Sequence, residues 1–169
     1  MKSFRTLAFM VLLSALSICV SSCGEDDGVM ERPDYTSITY KLAISQDLLS
    51  FYDVTASYTN VNGEEKTENV TSESWQYKER RDGSHKLTFT LKVQARKKEV
   101  MPRLNEEKSN YQFDCIYSAE YYTKETSAKR EAKESMKTTV EKEHVIAYVE
   151  LHPVLTLADY KKTVGEKDE

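Results

Sequence analysis

From Tyr35 onward, apolar and polar residues alternate with a period of two. In SITYKLAIS, Ile38, Tyr40, Leu42 and Ile44 fall on one side, and Thr39, Lys41 and Ala43 on the other. Successive side chains of a strand point to opposite faces, so this pattern predicts a half-buried strand. The same phase groups Tyr52, Val54, Ala56 and Tyr58. It then groups Leu87, Phe89, Leu91, Val93 and Ala95, and later Tyr111, Phe113, Cys115, Tyr117, Ala119 and Tyr121.

Punctuation between these runs is that of turns. Asn62-Gly63, flanked by extended sequence, predicts a type I′ hairpin turn, because both of its central positions need φ > 0. The return strand, Glu64 to Val70, is polar and suits a sheet edge, where charge discourages association between sheets. ESWQYKE puts Trp75 and Tyr77 on one face of a short strand, and Asp82-Gly83 marks the next turn. Arg96 to Asn110 holds Pro102 and many charges and reads as a long loop. Residues 124–137 break the alternation. Ala128, Ala132 and Met136 at i, i+4 and i+8 suggest a short helix there, with a polar loop as the alternative. HVIAYVELHPVLTL reads as one strong strand with room for a second after Pro153, and the chain ends in a polar tail, 161–169.

About seven strands separated by turn signals, with no internal repeat, predict an all-β protein. An antiparallel immunoglobulin-like β-sandwich over residues 35–160 accounts best for one wet and one buried face per sheet. A lipocalin-like β-barrel would give the same alternation.

The first 22 residues carry a different pattern. Lys2 and Arg5 precede an apolar run from Leu7 to Val20 broken only by serines. A helix needs ~20 apolar residues to span a bilayer, so the run is too short for that and suits the core of a secretory signal. Residues 23–34 then form a polar linker with two glycines and a proline.

VSSC, residues 20 to 23, resembles a bacterial lipobox, with Val20 where leucine is usual. The resemblance implies lipidation of Cys23 as the first residue of the mature chain. A single acyl chain holds a protein only marginally, whereas two or more hold it stably. Gly24 to Gly28, an acidic cluster directly after the cysteine, resembles the surface-export signal of Bacteroidota lipoproteins. The whole layout is similar to the small single-domain surface lipoproteins of Bacteroidota. That resemblance implies an outer-membrane, lipid-anchored, surface-exposed protein with an immunoglobulin-like domain, and it carries no catalytic residue over.

Charge and cysteine content sharpen this picture. Without residues 1–22, 22 basic residues face 28 acidic ones, a net charge of −6. Nucleic acid is a poor partner for such a domain, since it demands a basic footprint. With Cys19 removed and Cys23 lipidated, Cys115 alone remains, so no disulfide within the chain is expected.

Candidate chemistry is thin. His85, His144 and His152 make no i, i+2 or i, i+4 ligand pair, so no metal or other cofactor is expected. No G-x-S-x-G elbow or glycine-rich phosphate loop occurs. Cys115 lies in phase with Phe113 and Tyr117, which predicts a buried, inert thiol. No catalytic residue is assigned. Eleven tyrosines and Trp75 are the distinctive content, and aromatic side chains dominate interface hot spots. Most are in strand phase and suit the core. Trp75, Tyr77 and the out-of-phase Tyr122 are the candidates for binding. The expected function is therefore a non-catalytic, lipid-anchored envelope accessory protein that presents its sandwich to a protein or glycan partner. A pilus-like structural subunit and a small hydrolase are the alternatives.

Overall fold

The computed structural model describes residues 32–125 and 128–165, with the backbone alone at 132–134. The predicted signal segment 1–22, Cys23 and most of the linker 23–34 lie outside those residues, as do residues 166–169. Eight strands occur among the described residues: β1 (Tyr35–Ile44), β2 (Tyr52–Thr59), β3 (Glu65–Val70), β4 (Ser74–Asp82), β5 (Leu87–Lys97), β6 (Asn110–Tyr122), β7 (Lys129–Glu141) and β8 (Val154–Val164). Two short helices, α1 (Gln46–Phe51) and α2 (Val145–Leu151), join strands at one end.

The strands form two four-stranded antiparallel sheets, ordered β4-β1-β6-β7 and β3-β2-β5-β8. The predicted sandwich is therefore the architecture, and the barrel alternative is not: the two sheets are separate rather than closed on one another. Pairing of β2 with β5 and of β6 with β7 is what an immunoglobulin-like sandwich shares. Here β1 instead sits inside its sheet, between β4 and β6. Only β2–β3 and β6–β7 are successive strands of one sheet, and every other connection crosses from sheet to sheet.

The alternation read from the sequence builds the core. Ile38, Tyr40, Leu42 and Ile44 of β1 face Tyr58, Phe89, Leu91 and Val93 of the other sheet across a dry interior. Aromatic rings bridge the layers: Phe113 meets Phe51 and Tyr52 edge-on at 5.7 and 6.0 Å, and Phe89 lies 6.4 Å from Tyr121.

Four expectations are corrected. The described residues of 124–137 contain no helix; 129 onward is β7, paired with β6 over its whole length. Ala, Lys and Glu favour helices only weakly, and a ladder with a buried neighbour overrides that preference. An edge strand also tolerates charge, as where Glu131 meets Lys162 at 3.6 Å. The predicted strand at 145–151 is α2. Val145 and Val149 are buried one helical turn apart, and Tyr148 stacks on Phe113 at 5.3 Å. Residues 161–164 are no tail, since β8 pairs with β5 through Val164. Finally, Gly63 N donates to Asn60 O at 3.1 Å, which centres the hairpin turn on Val61-Asn62. Gly63 follows at φ +80°, where glycine alone is unstrained.

α1 has a local cause. Ser45 caps its N-terminus, accepting from Leu48 N at 3.4 Å, and Leu48 and Phe51 drop into the core. Asp47 pins the helix to β6, accepting from Lys108 Nζ at 2.5 Å and Gln112 N at 2.9 Å.

Candidate binding cleft

The three aromatic residues singled out by sequence do not come together. Trp75 and Tyr77 lie on the inward face of β4, half-buried at the side of the sandwich where β4 overlies β3. Tyr58 of the opposite sheet sits 4.4 Å from Tyr77 and 5.5 Å from Trp75, ring to ring. Two carboxylates close this side. Glu68 accepts from Tyr58 Oη at 2.5 Å and from Trp75 Nε1 at 3.1 Å. Glu79 accepts from Tyr77 Oη and from Val61 N, the latter at 3.2 Å. Burial, followed by the adjacent carboxylates, pushes the Tyr58 and Tyr77 phenols well above their ordinary value. The indole N–H, both phenols and both carboxylates of this cluster thus work within the fold. Trp75 and Tyr77 fasten the two sheets at their open side.

Tyr122 lies on the other face of the same sheet. It is half-buried rather than fully exposed, stacks on Tyr35 at 4.2 Å, and donates from its hydroxyl to Pro33 O at 2.9 Å. The Arg80 guanidinium covers the Tyr35 ring at 4.0 Å. An Arg80–Tyr35–Tyr122 stack therefore crosses three strands, and it forms one end of an open cleft of about 340 Å³ on the outer face of β4-β1-β6.

Strand register lays out the floor. Ser37 of β1 stands between Arg80 and Tyr122, and one step along the same face Thr39 stands between Lys78 and Glu120. A further step brings Lys41 opposite Gln76. All of these side chains occupy the outward positions of their strands, the set that alternation had consigned to solvent. The sequence therefore contained the cleft, but only as polar residues with no distinguishing spacing. Tyr35 was missed because it opens a strand, where phase has nothing before it to be measured against.

A second group was also overlooked. Glu141, Glu143 and His144, at the turn from β7 into α2, place ligand-type atoms within 4.8 Å of one another. All three are exposed, and His144 Nε2 lies 3.4 Å from Glu143. His152 Nδ1 contacts its own helix at Tyr148 O, 2.7 Å away. Cys115 is fully buried, and burial raises its thiol pKa above the ordinary value. No helix among the described residues is long and apolar enough to cross a membrane. No known family model, curated protein or solved structure matches the chain.

Proposed function

We propose that this chain is a non-catalytic binding domain of a bacterial cell envelope, tethered to the outer membrane through a lipidated Cys23 and presenting the Tyr35–Tyr122 cleft to an extracellular partner. The observation that carries the binding half is the ring stack beside an open polar floor, on a sheet face that no other strand or helix among the described residues covers. Aromatic walls with a few convergent polar groups are what ligand sites use for orientation and specificity. Among the described residues the floor supplies one carboxylate, Glu120, and no histidine or cysteine, which favours binding over acid–base or nucleophilic chemistry. VSSCGEDD supports the tethering half.

The test uses the full chain in a bacterial host that processes lipoproteins. The mature terminus should be Cys23 carrying diacylglycerol and an N-acyl chain. Protease applied to intact cells should remove the domain. Capture of envelope or extracellular material should fall when Tyr122→Ala is introduced. A free thiol at Cys23 defeats the tether, and undiminished capture by Tyr122→Ala defeats the binding face.

A further inference from the structure

We infer that the cleft on the outer face of β4-β1-β6 takes an acidic oligosaccharide; this deepens the binding reading above and rests on it. Lys78 and Lys41 are diagonal neighbours on adjacent strands, and such pairs stand ~7–8 Å apart. Arg80 follows Lys78 on the same face of β4, ~6.6 Å along the strand. Three cations thus surround Ser37 and Thr39, and among the described residues lining the cleft Glu120 is the one carboxylate. Among the described residues neither Lys41 nor Lys78 forms an ion pair, and Arg80 has only Asp82, at 3.8 Å. Like charges gathered on one sheet face oppose folding. An anion seated among them removes that repulsion, in a chain that is otherwise acidic.

The remaining lining selects the class of anion. The floor offers hydroxyls from Ser37 and Thr39 and the amide of Gln76, while the Tyr122 ring supplies an aromatic wall. None of the large exposed apolar side chains, Val100, Ile116, Leu151 and Val154, lines it. A peptide or acyl chain wants an apolar anchor pocket, which is missing here. Nucleic acid demands a broad basic footprint, whereas residues 32–165 carry 21 basic against 21 acidic residues. A chain of sugar rings bearing hydroxyls and one carboxylate each matches both the hydrogen-bonding floor and the modest positive charge.

The experiment titrates the full chain, in neutral detergent, with a four-residue oligogalacturonate and with its fully methyl-esterified form, which exchanges each charge for a methyl group. A panel of other uronic, sialic and sulfated oligosaccharides runs beside them, with inorganic phosphate and anionic phospholipid vesicles as separate arms. At least one acidic oligosaccharide should bind, and in the galacturonate pair the acid should bind roughly tenfold more tightly than the ester. That preference should shrink with added salt, as exposed charge pairs do. Lys41→Gln and Lys78→Gln should each lower the acid's affinity roughly five- to tenfold and the ester's by clearly less. Equal affinity for acid and ester, both lost in Tyr122→Ala, overturns the acidic class and leaves the binding face standing. Binding to vesicles or phosphate that matches the best acidic sugar overturns it too. Failure of every acidic sugar to bind overturns it whatever else is captured.

Discussion

The Tyr58 and Tyr77 rings pack 4.4 Å apart, tilted 43° to one another, although they belong to different sheets, and each hydroxyl is held by a different glutamate, Glu68 and Glu79 respectively. The two strands that border this opening, β3 and β4, are successive in the chain but share no ladder. Among the described residues, side-chain contacts rather than a ladder hold this side of the sandwich shut. Tyr77→Ala should therefore destabilise the domain by about 2–3 kcal/mol, less than a fully buried aromatic because Tyr77 is half-exposed. Tyr77→Phe keeps the ring and removes one hydrogen bond, and should lose about 1 kcal/mol. Urea unfolding of the two variants checks the order. Equal losses would mean that the hydroxyl matters and the ring does not.

Ser45 joins three segments. Its Oγ caps α1 at Leu48 N, accepts from Asp114 N at 3.0 Å and donates to Gln112 O at 2.7 Å. Ser45→Ala should cost about 1–2 kcal/mol. Amide exchange should quicken across 46–51 and at the start of β6 before it does in β5. Uniform acceleration would show that the cap is not a local fastening.

Tyrosine burial fixes the behaviour in alkali. Burial pushes Tyr52 up to about 12 and raises Tyr40, Tyr58, Tyr77 and Tyr160 beyond that. Unfolded phenols ionise near 10, so above that pH the unfolded chain has lost protons that the folded chain keeps. Stability should be intact below about pH 10 and fall steadily as the pH climbs towards 12. Tyrosinate absorbance from these five phenols should appear only together with unfolding. A single smooth titration with no loss of structure would contradict the burial.

Thiol reagents should distinguish the two halves of the mature chain. Cys115 is fully buried and its pKa is raised by that burial, so the folded protein should react only as fast as it opens. In denaturant, protein isolated from a lipoprotein-processing host should show one thiol per chain. More than one thiol would mean that Cys23 was unmodified or that Cys19 had stayed on the chain, and three would mean both.

What the sequence disclosed follows from physical context. Strands with one wet and one dry face were legible, and Ile38, Val54, Leu91 and Phe113 all lie where alternation puts them. β7 was not, because an edge strand is half-uncovered and its composition answers mainly to water. α2 was hidden for the opposite reason. Its β-branched valines suggest a strand, while the spacing of Val145, Tyr148 and Val149 suits a helix, and residue type outweighed spacing. The cleft was least legible of all. It exists only once register sets Lys78 beside Thr39 and Tyr122 beside Ser37, and no local pattern encodes which outward residues become neighbours.

The position of β1 has a mechanical meaning. The first strand of the domain is bonded along its length to β4 on one side and to β6 on the other, and Asp34 O is held by Gly83 N at 3.0 Å. The last strand, β8, hangs from a single neighbour. A pull arriving from the amino-terminal direction is thus shared between two ladders before any strand can peel, so the domain is gripped hardest on the side from which a tether would drag it.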